Sequence, residues 1–325
     1  MPDDLISGAA LALLAVSFLV GIVVGLTGMG GGALMTPALV FLGIPPTAAV
    51  ANDLVAAAIN KSVGATVHAR NGSPNWRLAR LLMIGSVPFA FAGAFIVHAV
   101  GSAEEREAFL RLAIGVALLL AAATYTLRIY GTVFHHWGRS SPDGEVPVRV
   151  VATVVVGAIG GLLVGLTSVG SGSIIMVSLL LLHPGLGARK LVGTDLVQAV
   201  PLVLAAAVSH VIVSGIDWAV LIPLVLGGTP GTFVGARLAA WVPGSAIRRG
   251  IVIVLTLTGL SLLKVPPMTV GAIGAALLVL GPLAWAVLRR AHGLPAFTPH
   301  RNHSPAADPD LGDLPGSTDP EKAPR

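Results

Sequence analysis

Long apolar runs, separated by short polar, proline or glycine stretches, fill most of this chain. Most of the runs measure about 18 to 24 residues, the length with which a helix crosses about 30 Å of hydrocarbon. The pattern predicts an all-α polytopic membrane protein with eleven membrane segments, at approximately 5–27, 29–43, 46–69, 78–100, 109–130, 149–166, 168–183, 190–213, 218–241, 247–264 and 268–290. The segments 29–43 and 168–183 are so short that they barely cross a bilayer alone.

Two glycine-rich interruptions stand at matching places in the chain. The first reads Gly-Leu-Thr-Gly-Met-Gly-Gly-Gly-Ala-Leu-Met-Thr-Pro from Gly25, and the second reads Gly-Leu-Thr-Ser-Val-Gly-Ser-Gly-Ser from Gly165. Because each glycine costs a helix about 1 kcal/mol relative to alanine, the helix is expected to break at both places. A broken backbone inside a bilayer must line a cavity or be buried in protein. Paired breaks in two halves therefore favour a transporter substrate site.

The two halves of the chain resemble each other beyond the glycines. Asn52-Asp53-Leu54-Val55 matches Thr194-Asp195-Leu196-Val197 at an offset of 142 residues, and His68 matches His210 at the same offset. This repetition indicates a duplication. With five segments in each half, an odd number, the second half enters the membrane from the opposite side, which is an inverted-topology repeat.

The predicted organisation follows from this repeat. The first membrane repeat covers 1–130, a cytoplasmic linker 131–148 and the second membrane repeat 149–264. One additional transmembrane helix covers 265–291. The tail 292–325 is rich in proline, aspartate and glycine, with too few apolar residues for a core, and is expected to be disordered.

Charge placement sets the expected orientation in the membrane. If the short segments cross, thirteen basic residues fall on one side, and only Arg106, Arg111 and Lys264 fall on the other. The basic side is cytoplasmic by the positive-inside rule, so we expect a multi-pass protein of the plasma (inner) membrane with its N-terminus outside and its C-terminus inside. The start, Met-Pro-Asp-Asp, lacks the basic character of a signal peptide, so the first run is interpreted as a retained span.

Composition supports this class and excludes several others. The chain is 54% hydrophobic and 11% charged, whereas a soluble domain carries roughly 25% charged residues. Without cysteine it has no disulfide, no thiolate nucleophile and no Cys-ligated metal. The formal charge of +5 comes from residues at segment ends, which does not indicate nucleic-acid binding.

The two glycine motifs, and the stretch Gly-Ile-Pro-Pro-Thr-Ala-Ala-Val-Ala-Asn-Asp from Gly43, resemble those of the TauE/SafE family of sulfite exporters. The resemblance covers about residues 8–264, the linker excepted. It implies a plasma-membrane permease for small oxyanions such as sulfite and organosulfonates. The second copy departs from the family's glycine-rich pattern at Ser168, Ser171 and Ser173, so the resemblance supports the transporter class better than it supports sulfite.

The breaks supply most of the candidate substrate-binding residues, since helix N-termini and free amides attract anions. Lys61 joins them as a basic residue deep in a span, although it could also snorkel or pair with Asp53. The small residues could instead serve close helix packing, which fits the GxxxG spacings elsewhere better than the contiguous glycines. The substrate-binding candidates are Gly28, Gly30, Gly31, Gly32, Thr36, Lys61, Ser168, Gly170, Ser171, Gly172 and Ser173.

Asp53 and Asp195 each lie about six residues inside a span, where ionisable groups are costly and usually functional. They could carry a coupling proton or Na⁺, or they could pin the broken hairpins by accepting hydrogen bonds. Asn60, seven residues after Asp53, is expected on the same helix face, whereas Lys61 lies about 80° around. The candidates for coupling or pinning are Asn52, Asp53, Asn60, Thr194, Asp195 and Gln198.

The leading hypothesis is therefore a secondary transporter that moves a small anion by alternating access, with coupling to protons or Na⁺. An anion channel is the alternative, and an intramembrane enzyme is disfavoured because the chain has no HExxH motif and no Gly-x-Ser-x-Gly elbow. No nucleotide-binding loop is present in the sequence. No cofactor or metal is expected, and the histidines His135, His136, His300 and His303 are too sparse for a metal site.

Overall fold

The computed structural model describes residues 8–27, 31–70, 74–134, 148–183, 185–186, 188–238, 241 and 244–291. Throughout these residues the regular structure is helical, and no strand occurs in them. The helices are α1 (Gly8–Thr27), α2 (Gly32–Phe41), α3 (Pro46–Arg70), α4 (Trp76–Ala99), α5 (Ala103–Phe134), α6 (Val150–Thr167), α7 (Ile174–Leu182), α8 (Ala188–Ser214), α9 (Trp218–Leu238), α10 (Gly244–Leu262) and α11 (Pro267–Ala291).

These helices coincide with the predicted segments, and the prediction of an all-α polytopic membrane protein is confirmed. Within the described residues, seven helices have the length and apolar composition to cross a membrane, in α1, α4, α5, α6, α8, α9 and α11. Helix α3 has the length but carries Asn52, Asp53, Asn60 and Lys61, which lower its hydropathy. Helix α7 has only 9 residues, because the break before it takes up the first part of the predicted segment 168–183. Helix α5 runs on to Phe134, into the predicted linker, whose residues 135–147 lie outside the described ones.

Helix α1 packs along α9, and α4 packs along α6, through glycines that let the backbones touch. A Cβ atom on Gly227 or Gly235 would overlap the carbonyl oxygen of Leu14 or Ile22 respectively. Because the residue numbers of the contacting pairs increase together along both helices, α1 and α9 run in the same direction. The small residues thus allow the close packing that the GxxxG spacing predicts.

The crossing of α4 and α6 has the same character. Gly157 faces the carbonyl oxygen of Leu82, and Gly165 faces that of Ala90, so these two helices are also parallel. The contact of Gly165 with Ala90 corresponds, in the sequence repeat, to a contact of Gly25 with Thr232 between α1 and α9. In both crossings, a helix from one half of the chain packs against a helix from the other half.

Helices α3 and α8 pack against each other in opposite directions. At one end, Ile44, just before α3, and Ile216, just after α8, join the same hydrophobic cluster. At the other end, the backbone N–H of Asn75, just after α3, donates to Thr194 Oγ1 near the start of α8, at 2.9 Å. This antiparallel pair positions the candidate site, because α3 carries Asp53 and Lys61 and α8 carries Asp195.

Helices α5 and α10 are a second antiparallel pair. Gly115 lies against Leu263 and Gly259 against Leu119, so the residue numbers rise along one helix as they fall along the other. The chain divides into two compact units, Met1–Gly274 and Ala275–Arg325. All the contacts above lie in the first unit, whose main hydrophobic core gathers buried side chains from α2 to α8 and α10. In the second unit the structure describes residues 275–291, which are the remainder of α11.

Candidate functional site

The two predicted breaks meet inside the first unit. Helix α1 ends at Thr27 and α2 begins at Gly32, while Gly28 and Gly30 lie outside the described residues. Gly32 contacts Ser168 of the second break so closely that an added Cβ would overlap the Ser168 carbonyl oxygen. Because Gly32 has no side chain, the backbone of the second break can lie directly against it.

The second break is an irregular segment between Thr167 and Ile174. Ser168 adopts a left-handed conformation with φ of 60°, which turns the chain out of α6. The Gly170 carbonyl then accepts hydrogen bonds from the N–H groups of Ile174 and Ile175, at 3.0 and 3.3 Å. Ser173 is the N-cap of α7 but makes no side-chain cap bond, and its buried hydroxyl has no hydrogen-bond partner among the described residues. The positive end of the α7 dipole is therefore next to the Ser173 hydroxyl.

Lys61 reaches this second break from α3. Its ammonium group hydrogen-bonds to the Ser171 hydroxyl. The carboxylates of Asp195 and Asp53 both interact electrostatically with Lys61, Asp195 more strongly. As a whole residue, Lys61 is partly buried. The break thus combines a cation, hydroxyl groups and a helix N-terminus, which together suit a small anion.

Asp53 joins the two breaks from the other side. One oxygen of its carboxylate, Oδ2, accepts hydrogen bonds from Thr36 Oγ1 at 2.5 Å and from Ser168 Oγ at 2.8 Å. Thr36 belongs to α2, and Ser168 belongs to the second break. The Asp53 side chain is 2% exposed, so both bonds are shielded from water. Asp53 therefore connects the helix after the first break with the start of the second break.

Asp195, the sequence counterpart of Asp53, has different neighbours. Its Oδ1 accepts a hydrogen bond from Gln198 Nε2 at 3.1 Å, and the amide oxygen of Gln198 is buried with no partner in the described part of the chain. Besides Lys61, the guanidinium of Arg128 interacts electrostatically with Asp195. The Asp195 carboxylate thus interacts electrostatically with two cations and accepts a hydrogen bond from one donor among the described residues.

The other sequence candidates that the structure describes make their side-chain hydrogen bonds outside this cluster. The Asn52 amide donates to the Ala48 carbonyl oxygen at 2.8 Å, within its own helix. Asn60 accepts a hydrogen bond from Thr229 of α9 at 3.0 Å, so Lys61 and not Asn60 extends to the break. Thr194 donates to the Lys190 carbonyl oxygen at 2.6 Å. Gly31 is the N-cap of α2, and its carbonyl accepts from the N–H groups of Leu34 and Met35, at 3.0 and 2.9 Å.

The structure also places residues at the second break that sequence reasoning missed. Tyr125 of α5 donates from its hydroxyl to the Gly172 carbonyl oxygen at 3.3 Å. Arg128 donates from Nη1 to Met176 Sδ at 2.9 Å. Their spacing of three residues puts them on one helix face, which is the signal that could have found them. His210 contacts the Gly165 carbonyl oxygen at 2.7 Å, in a buried position just before the break.

The described residues contain no group of three or more histidine, aspartate or glutamate side chains that could hold a metal ion. The groups that the site does present are charged side chains, hydroxyl groups and backbone dipoles. It has no trio of nucleophile, base and orienting residue among the contacts above.

Comparison with known proteins assigns the chain to a family. The family model of the sulfite exporter TauE/SafE matches residues 13–262, which include both breaks and both aspartates. The chain belongs to the TauE/SafE family. The predicted resemblance is therefore confirmed, and this TauE/SafE protein is a membrane transporter and not an enzyme.

Two relatives support this assignment over most of their length. The probable membrane transporter protein YjnA of Bacillus subtilis (strain 168) is 34% identical over 233 residues, which cover 71% of this chain and 90% of the relative. The probable membrane transporter protein YdhB of the same organism is 25% identical over 252 residues, which cover 77% of this chain and 99% of the relative. No solved structure matches the chain.

Proposed function

We propose that this TauE/SafE protein is a secondary transporter that moves a small oxyanion, such as sulfite or an organosulfonate, across the inner membrane by alternating access. The observation that carries the proposal is the hydrogen bond between Lys61 and Ser171. It brings a basic side chain from the middle of α3 to a broken helix, where anions bind readily.

At Lys61, a bound oxyanion would replace a hydrogen bond to a neutral hydroxyl with a stronger one to a charged acceptor. The one described side chain that Lys61 contacts by hydrogen bond is a neutral hydroxyl, and an oxyanion is a better acceptor for an ammonium group. Ser171 and Ser173 could then donate their hydroxyl hydrogens to the same anion. Ser173 supports this assignment because its hydroxyl is buried without a partner. Gly170 and Gly172 keep the backbone of the break free of further side chains.

Helix directions support an inverted duplication. In the sequence repeat, α3 corresponds to α8 and α5 to α10, and both pairs run antiparallel. Two halves related by an axis along the membrane normal would have these counterparts parallel, whereas an axis in the membrane plane makes them antiparallel. In the proposed organisation, 1–130 and 149–264 are the two repeats, 131–148 the linker, 265–291 an additional helix and 292–325 a cytoplasmic tail. Alternating access would then be a movement of one repeat against the other around the two breaks.

We further propose that the N-terminus is outside and the C-terminus cytoplasmic, as the basic residues suggest. The absence of cysteine from the chain makes the test direct. Single cysteines at Ser102 and Ser140 should be labelled by an impermeant thiol reagent from the outside and from the cytoplasm respectively. Labelling of both from one side would overturn the topology.

The function is tested by uptake into liposomes that contain the purified protein. Sulfite, sulfate, sulfonates and small carboxylates are each offered with and without proton or Na⁺ gradients. We expect saturable uptake and counterflow of at least one oxyanion. Ohmic conductance without saturation would favour an anion channel instead, and no uptake of any of them would refute the proposal.

Lys61→Gln should lower the rate of that uptake at low substrate by about tenfold or more, since a hydrogen bond to a charged group contributes about 1.5 to 3 kcal/mol. Lys190→Gln is the matched control, because Lys190 is exposed at the start of α8. Equal rates in the two variants would remove Lys61 from the site.

A further inference from the structure

Helix α5 presents two polar side chains to the second break, neither of which belongs to the anion site described above. Tyr125 donates to the carbonyl oxygen of Gly172, and Arg128 donates to the sulfur of Met176. The two donors are one turn apart on α5, and their acceptors are one turn apart along the second break and α7. Helix α5 therefore follows the second break side by side over this turn.

The contact with Met176 fixes the depth of Arg128. Met176 lies six residues before Leu182, the end of α7, which corresponds to about 9 Å of helix. Arg128 therefore lies within the depth of the α7 segment and not in a loop beyond it. Arginines at such depth are rare in membrane proteins and usually mark an ion or substrate pathway.

The guanidinium has little to satisfy its charge at this position. It is always protonated and carries five N–H donors, while a thioether sulfur is a weak acceptor. Its one hydrogen bond to a described residue goes to that sulfur, and Asp195 interacts with it only electrostatically. A partly buried guanidinium with this environment would gain from an oxyanion, which it can bind with two parallel hydrogen bonds.

We propose that Arg128 is a second anion-binding residue, one helical turn from the Lys61–Ser171 site, and that it receives the anion between that site and the cytoplasmic end of α7. This inference rests on the proposed function. Two cations spaced along α7 give the anion two successive resting places, so that it leaves the membrane centre in short steps. Tyr125 holds the second break against α5, so that Arg128 stays in register with it.

The test compares four variants for radiolabelled sulfite uptake at increasing sulfite concentration. With sulfite offered at the cytoplasmic face, Arg128→Gln should raise the KM about tenfold or more with little change in kcat, because the anion entering from that side would bind Arg128 first. Arg128→Lys should raise it less, since a lysine keeps the charge but loses the two parallel bonds. Arg111→Gln, an exposed arginine on the same helix, should leave the KM unchanged.

Met176→Leu separates anion binding from a packing role. If Arg128 acted only by holding Met176, this variant would reproduce the KM of Arg128→Gln, and that result would overturn the inference. A KM in Arg128→Gln equal to that of Arg111→Gln would overturn it as well, with the proposed function intact. If the wild-type protein takes up neither sulfite nor any other oxyanion offered, the proposed function fails and the inference fails with it. Should Arg128→Gln not remain monodisperse in detergent, Arg128→Lys and Met176→Leu still decide the question.

Discussion

Asp53 and Asp195 occupy equivalent positions in the two halves of the chain, and their surroundings differ. Asp53 accepts two hydroxyl hydrogen bonds, from Thr36 and Ser168, while Asp195 accepts one amide hydrogen bond and interacts electrostatically with two cations. The repeat explains the difference residue by residue. In the alignment of the two halves, Thr36 corresponds to Met176, which has no hydroxyl group. Ser168 corresponds to Gly28, which has no side chain.

The polar side chains near the two carboxylates also differ between the two halves of the chain. The counterpart of Lys61 in the second half is Val203, and the counterpart of Gln198 in the first half is Ala56. We infer that duplication kept both carboxylates but assigned them separate tasks. We propose that Asp53 pins the two breaks together, and that Asp195, which accepts one hydrogen bond from a described residue, takes the coupling ion.

The largest expected effect concerns the close contact between Gly32 of the first break and Ser168 of the second. Gly32→Ala should abolish uptake, because its Cβ would overlap the Ser168 carbonyl and force the two breaks apart. Gly31→Ala is the control, since the nearest atom to a Cβ there is Val24 Cγ2, at 3.8 Å. Uptake by proteoliposomes measures both. Normal uptake in Gly32→Ala would show that the tight contact between the breaks is not needed.

The second prediction separates the two carboxylates by function. Asp195→Asn should remove the dependence of uptake on the proton or Na⁺ gradient, because the neutral amide cannot take up either ion as a carboxylate does. Asp53→Asn should retain that dependence, since its amide oxygen can still accept from both hydroxyl groups. Uptake is measured with and without each gradient. Loss of the dependence in Asp53→Asn alone would reverse the assignment.

The third prediction concerns stability at the Asp53 cluster. Ser168→Ala removes one of two hydrogen bonds to a buried carboxylate, so it should lower the free energy of unfolding by about 1 to 3 kcal/mol. Ser261→Ala, which removes the hydroxyl of an exposed serine near the end of α10, is the control and should change it far less. Thermal unfolding in detergent measures the difference. If both variants unfold together with wild type, Asp53 does not depend on Ser168.

The sequence was sufficient to predict the helices and both breaks, because apolar run length and contiguous glycine act locally. It also predicted Asp53 and Asp195 as a pair, because the repeat puts them in register. It could not rank Lys61 above Asn60, since the direction in which each side chain extends is decided by α9 and the second break, which are distant in sequence. It missed the role of Arg128 for a related reason. The apolar run ends just past that residue, so the sequence suggested only a boundary charge, whereas the contact with α7 places Arg128 deeper.

The smallest effect is expected at the Asp195 side, in Gln198→Met. This change loses the hydrogen bond to Asp195, a net loss of about 1 kcal/mol, but it also removes an amide oxygen that is buried without a partner. Because the two effects oppose each other and the side chains have similar size, the free energy of unfolding should change by less than about 1 kcal/mol. Thermal unfolding beside Ser168→Ala measures it. A loss as large as in Ser168→Ala would mean that Asp195 is held as firmly as Asp53, and the proposed division of tasks between the two carboxylates would lose its structural basis.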